Sequence, residues 1–144
     1  MFSKDSKEFI QLLNKSRIEY LVVGGYAVGL HGYPRYTGDI DIWLNPANEN
    51  ISKPHVLKEF GFSPQEYQIS DFQKKDSIVR IGFPPFRIDL IISIDGVEFK
   101  KCYQNRVEKE LDGVNINFIG YKDLIKNKKA CNRKKGQIDL ENLL

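Results

Sequence analysis

The strongest constraint on the fold is a pair of aspartates set two apart inside an apolar run, Asp39-Ile40-Asp41-Ile42-Trp43-Leu44. Upstream, a second apolar run containing Leu21-Val22-Val23 stops at Gly24-Gly25. In extended backbone alternate side chains share a face, so Asp39 and Asp41 point one way with Cα atoms about 6.6 Å apart. Ile40 and Ile42 point the other way, into a core. Two ionised carboxylates about 5 Å apart repel by about 3 kcal/mol at an effective dielectric of about 20, a cost that a bridging cation removes. Magnesium suits the pair, because it is a hard ion that takes oxygen ligands and is commonly held by one or two carboxylates plus substrate phosphates. The alternative is that both are simply the solvated face of a strand, although strands disfavour Asp.

Gly24-Gly25 leads into Tyr26-Ala-Val-Gly-Leu-His31, a short segment with helical potential. Backbone N–H groups of such a turn can face an anion, and the geometry suits a triphosphate. No Lys-Ser or Lys-Thr pair follows as a P-loop requires, and Tyr26 stands where a dinucleotide fingerprint needs its second glycine, so both motifs are rejected. The other reading is that the glycines only allow a helix to pack closely on a strand. Arg87-Ile-Asp89-Leu-Ile-Ile supplies a third carboxylate within another strand-like run. If that strand lies beside the one bearing Asp39 and Asp41, three carboxylates converge on one rim of the sheet.

Gly24-Gly25, then Arg35-x-Thr37-x-Asp39-Ile-Asp41, then Arg87-Ile-Asp89, resembles the nucleotidyltransferase superfamily with a polymerase-beta-like core. That group includes minimal nucleotidyltransferases, aminoglycoside nucleotidyltransferases and the toxins of abortive-infection systems. The tail, Asp123-Leu-Ile-x-x-Lys128-x-Ala130-x-x-Arg133-x-Lys135-x-x-x-Asp139-Leu-Glu141, is similar to the closing helices of small bacterial stand-alone members. It departs at Gly136, where relatives usually carry an acidic residue.

The resemblance implies an α+β fold, a mixed β-sheet flanked by helices with two short helices at the C-terminal end. It also implies chemistry: Asp39, Asp41 and Asp89 as catalytic and metal-binding residues, with two magnesium ions, or manganese in their place. Asp39 and Asp41 would hold the ion that carries the nucleotide's phosphates, while Asp89 would complete a second site and help deprotonate the acceptor hydroxyl. Gly24 and Gly25 would cradle the triphosphate, with Arg35, Thr37 and Lys128 as further nucleotide or phosphate contacts. The partners implied are a nucleoside triphosphate and a hydroxyl acceptor (protein, RNA or small molecule), with a cognate antitoxin or a second copy of the chain as protein partners.

With 144 residues the chain is expected to form one domain over its whole length. Apolar content of 41% and charged content of 28% describe an ordinary globule. No apolar run approaches the roughly 18 residues of a membrane span. A start bearing Lys4, Asp5, Lys7 and Glu8 is unlike a signal peptide, so the expected address is cytoplasmic. Cys102 and Cys131 lack metal-ligand spacing and are expected to be free thiols. His31 is expected to pack or cap near Gly32.

Hydrophobic spacing predicts an amphipathic helix around Phe9, Leu12 and Leu13, a strand near Tyr20 to Val23, a short helix to Gly32, and a strand from Ile40 to Leu44. A helix over Val56 to Phe60 follows Pro54, and Gln65 to Lys75 reads as a polar loop. Ser77 to Phe83 and Arg87 to Ile94 read as neighbouring strands around Pro84-Pro85, Val114 to Ile119 as another, and the last stretch as two helices. Asp95-Gly96 and Asp112-Gly113 are turn signals.

Lys126, Lys128, Lys129, Arg133, Lys134 and Lys135 crowd one short stretch. They form either a solvated helix face or a holder for nucleotide phosphates or an RNA acceptor. A net charge of +3 is too small to mark the whole chain as nucleic-acid binding. Arg35 could fork onto a phosphate, and Thr37 could cap the turn into the strand. Tyr33, Tyr36 and Trp43 either stack on a base or pack. Two competing readings remain: a sugar transferase using Asp-Ile-Asp, for which the chain is short, and an inactive binding module or toxin–antitoxin partner on the same fold.

Overall fold

The computed structural model describes residues 3–34, 37–47, 78–83 and 86–144. Arg35, Tyr36, Pro54, His55, the expected Val56 to Phe60 helix, the Gln65 to Lys75 stretch, Ser77 and Pro84-Pro85 lie outside them. Helix α1 (Lys4–Lys15) begins at Ser3, whose hydroxyl accepts the Ser6 N–H at 3.1 Å, and carries Asp5 in its first turn and Lys15 in its last. Its buried stripe is Ser6, Phe9, Ile10 and Leu13, a helical spacing that presents one face to the sheet.

Strand β1 (Tyr20–Val23) runs into α2 (Gly24–Leu30), followed by β2 (Asp39–Leu44), β3 (Ile78–Phe83) and β4 (Phe86–Ile91). Next come α3 (Phe99–Gln104), β5 (Val107–Leu111), β6 (Val114–Phe118), α4 (Tyr121–Ala130) and α5 (Lys134–Leu143). The strands form one mixed sheet in the order β3-β4-β2-β1-β6-β5, parallel at β2/β4 and β1/β6 and antiparallel elsewhere. All four residues of β1 are buried, as expected of a central strand covered on both faces. Each large aliphatic side chain fully buried there contributes about 1.5–3 kcal/mol.

Tyr20 belongs to that core by its ring and is satisfied at its hydroxyl, which donates to Asn14 Oδ1 at 2.9 Å and accepts the Asn117 N–H at 3.3 Å. Burial pushes its phenol up to about 12. Trp43, expected either to stack on a base or to pack, packs: it is 1% exposed and meets Phe99 edge-on at 5.1 Å. His31 also packs, since its Nε2 lies 2.7 Å from the Ile119 carbonyl, which can only accept, and its ring meets Tyr121 edge-on. Both cysteines are free and buried.

Two elements had no clear signal in the sequence, α3 and β5. Helix α3 is only six residues long. Strand β5 reads Val-Glu-Lys-Glu-Leu, with its three central side chains exposed, because it is an edge strand whose partner β6 carries the apolar face. The Asp112-Gly113 turn joins them with positive φ at both residues (52° and 80°), the geometry of a two-residue hairpin.

Candidate active site

Parallel pairing of β2 with β4 sets Asp39 opposite Arg87 and Asp41 opposite Asp89. Alternation then puts Asp39, Asp41, Arg87 and Asp89 on one face of the sheet, while Ile40, Ile42, Ile88 and Leu90 fill the core on the other. The adjacency that the sequence left conditional is present in the strand order. Asp41 reaches over the start of α2: Gly24 has φ of 66°, and a Cβ there would collide with the Asp41 carboxylate. Gly24 is therefore fixed both by its left-handed backbone and by that approach.

These carboxylates differ in their surroundings. Burial, together with the negative charges of Asp89 and Asp39, pushes Asp41 up to about 6, against the opposing pull of Lys128 and Arg133. Asp39 and Asp89 share a guanidinium instead. Arg87 donates from Nε to Asp89 Oδ1 at 2.8 Å, from Nη2 to Asp89 Oδ2 at 3.1 Å, and from Nη2 to Asp39 Oδ2 at 2.7 Å. Arg80, opposite Asp89 on β3, stands 4.0 Å from the same carboxylate.

A cleft of about 410 Å³ opens beside this face. One wall is the turn and strand, with Gly24, Gly25, Thr37, Asp39 and Asp41; the opposite wall comes from the C-terminal helices, with Lys128, Cys131, Arg133, Lys135 and Gly136. Ile78, Ile91 and Ile94 give it an apolar end. The N-cap residue of α2, Val23, has an apolar side chain and makes no capping hydrogen bond to the first turn. Thr37 closes its own turn, donating from its hydroxyl to the Asp39 carbonyl at 3.1 Å.

The basic cluster divides. All but Lys128 are exposed, and Lys128, Arg133 and Lys135 line the cleft. Lys128 is almost buried and lies 3.2 Å from Asp139, which is wholly buried. Gly136 takes no part as an acid: a Cβ there would stand 3.0 Å from Cys131 Sγ, so side-chain bulk at that turn is already taken. The acidic partner of Lys128 sits one helical turn later, at Asp139. Burial acts to raise the Cys131 thiol, but hydrogen bonds from Arg133 and the charges of Arg133 and Lys128 outweigh it and lower the thiol overall.

Sequence reading brought together Gly24, Gly25, Thr37, Asp39, Asp41, Asp89 and Lys128; all but Asp89 line the cleft, and Asp89 is linked through Arg87 to Asp39, which does. It missed the fork of Arg87 and the pairing of Lys128 with Asp139. The first was legible, since positions 87 and 89 share a face of any strand; the second depends on how α4 and α5 fold back on each other.

Among the described residues no three His, Cys, Asp or Glu side chains are gathered closely enough to enclose one ion. The donor set still suits a hard divalent cation. It is all oxygen, and Asp41 is held up by burial first and then by two neighbouring negative charges, which a cation would offset. Among the described residues, no helix is long and apolar enough to cross a membrane.

No protein-family model matches the sequence, and no curated protein matches it. Solved structures do match in shape. A putative nucleotidyltransferase from Thermotoga maritima superposes with a TM-score of 0.60 at 16% identity, over 92% of this chain and 83% of that one. The lincosamide antibiotic adenylyltransferase LnuA, solved with lincomycin bound, gives 0.58 at 14% identity, over 99% and 96%. An antigenic nucleotidyltransferase-like protein from Paracoccidioides brasiliensis gives 0.56 at 18% identity, over 99% and 75%. With a six-stranded mixed sheet and five helices among the described residues, the chain has the nucleotidyltransferase fold.

Proposed function

We propose that this chain is a metal-dependent nucleotidyltransferase that moves a nucleoside monophosphate from a nucleoside triphosphate such as ATP to a hydroxyl acceptor, the acceptor oxygen bonding to the α-phosphorus as the α–β bond breaks and pyrophosphate leaves. The observation that carries the reading is Asp41 paired in register with Asp89 beside the Gly24-Gly25 turn, facing a cleft whose far wall bears Lys128, Arg133 and Lys135. Asp39 and Asp41 hold magnesium, with Asp89 completing a second position; manganese serves in its place. When bound, the ion offsets phosphate charge and polarises the phosphorus under attack. Gly24 and Gly25 present backbone N–H groups to the triphosphate, and Lys128, Arg133 and Lys135 draw its charge in from the other wall. Asp89 takes the proton of the acceptor hydroxyl, because each carboxylate oxygen has a second lone pair after accepting from Arg87. Arg35 is an additional phosphate contact, and Thr37 supports the turn under Gly25.

The acceptor is a protein, an RNA or a small molecule. A toxin–antitoxin or phage-defence setting, with a cognate antitoxin or a second copy as partner, accords with the tail motif. Incubation with each labelled triphosphate, magnesium and cell extract is expected to label an acceptor. Asp39→Asn and Asp89→Asn are expected to abolish the label, and retention of full labelling in both rejects the roles.

One observation favours a second reading. Arg87 already occupies two of the carboxylates, as it would in a binding module that had lost catalysis. Calorimetry separates the two: a module binds nucleotide without regard to magnesium or to Asp41→Ala, whereas the enzyme requires both the ion and the carboxylate.

A further inference from the structure

Arg87 makes three hydrogen bonds within the carboxylate cluster. It is placed there by two constraints: it lies opposite Asp39 in the β2/β4 register, and it precedes Asp89 by two on the same strand face. We propose that Arg87 is a resident counter-cation that occupies Asp39 and Asp89 in the nucleotide-free chain, so that divalent ions bind weakly until a triphosphate arrives. The inference rests on the nucleotidyltransferase reading for the identity of the triphosphate, but not for the arginine's effect on the ion.

The physical argument is one of charge and lone pairs. An arginine stays protonated at any physiological pH, so its charge cannot be shed to make way for a metal. Its planar fork engages both oxygens of Asp89, and its Nη2 also reaches Asp39, so three of the directions from which a divalent ion would be coordinated are taken. Arg87 also offsets one of the three carboxylate charges, and Arg80 stands at 4.0 Å from Asp89. An ion entering alone meets a face already part-neutralised. Bound together with a triphosphate, it brings compensating negative charge that also engages the cationic far wall of the cleft.

The Arg87 side chain is a quarter exposed, which leaves it room to swing outward when the ion binds. By contrast Asp41 makes no bond to Arg87 among the contacts of the guanidinium, and so offers the first point of attachment.

Binding of Mn2+ is measured by the loss of its free-ion paramagnetic resonance signal, with and without an ATP analogue carrying a methylene between the α and β phosphorus atoms, and the ion chelated by the analogue alone is measured in a protein-free titration and subtracted. The parent protein is expected to bind Mn2+ at least about tenfold more tightly with the analogue present. R87Q, which keeps hydrogen-bond donors but no charge, is expected to bind Mn2+ alone about tenfold more tightly than the parent, with the analogue's enhancement reduced. R87M is expected to follow R87Q, and a thermal melt shows whether each variant is folded.

Equal or weaker Mn2+ binding by a folded R87Q or R87M overturns the proposal. So does parent protein that binds Mn2+ equally well with and without a bound analogue, a result readable even if neither variant folds. If the analogue does not bind at all, the nucleotidyltransferase reading fails, while the R87Q arm still decides the role of the arginine.

Discussion

Two ion-pair centres face the same cleft and are built in opposite ways. Arg87, Asp39 and Asp89 meet on the open sheet face, with side-chain exposures of 25%, 37% and 10%. Lys128 and Asp139 meet between α4 and α5, at 11% and 1%. The first centre is a fork that water and ligands can reach, so its bonds can be exchanged. The second is more enclosed, and breaking it takes the acidic partner from a largely buried ammonium group. Exchange belongs on the wall that carries the carboxylates, and fixed positioning belongs on the wall that presents Lys128.

The sharpest test of that contrast is Asp139→Ala. It leaves Lys128 without its acidic partner in a buried site and is expected to lower unfolding stability by about 3 kcal/mol, read by urea denaturation. A loss below about 1 kcal/mol, the size of an exposed pair, breaks the comparison.

Asp41 gives the next largest effect, through pH. Its folded value of about 6 lies above the ordinary 3.8, so the folded chain holds this proton more tightly than the unfolded one. The stability this contributes is fully present below the unfolded value and is lost as pH rises through about 6. In the absence of divalent ions, Asp41→Asn is therefore expected to be more stable than the parent at pH 8, by about 2 kcal/mol after allowance for partial exposure. That advantage shrinks towards pH 4. An advantage that is flat with pH, measured by parallel denaturant titrations, sinks the account of Asp41.

Arg80→Ala marks the lower end. Arg80 is 59% exposed and only 4.0 Å from Asp89, so its loss is expected to change stability by less than about 0.5 kcal/mol. A larger change would mean that the open centre is a rigid network rather than an exchangeable one.

Much of the site was legible because it is written in local periods. Two-residue alternation alone put Asp39 with Asp41, and Arg87 with Asp89, on shared faces. The run Tyr20-Leu-Val-Val23 declared a strand, and Asp112-Gly113 declared the turn that the hairpin uses. Less legible were the short and charged elements. Helix α3 is too brief for a periodic signal, and β5 spends its exposed side chains on charge because it lies at the edge.

By itself, then, the chain of residues determined every described strand but β5, its glycine turn, its two terminal helices and the side chains that could meet. Tertiary structure decided who meets whom. Parallel pairing of β2 with β4 brought Asp41 beside Asp89 and put a guanidinium between Asp39 and Asp89. The fold-back of α5 on α4 chose Asp139, not position 136, as the partner of Lys128. The reason is that periodicity acts over a few residues through backbone geometry, whereas register and helix packing are settled by burying apolar faces that lie far apart along the chain.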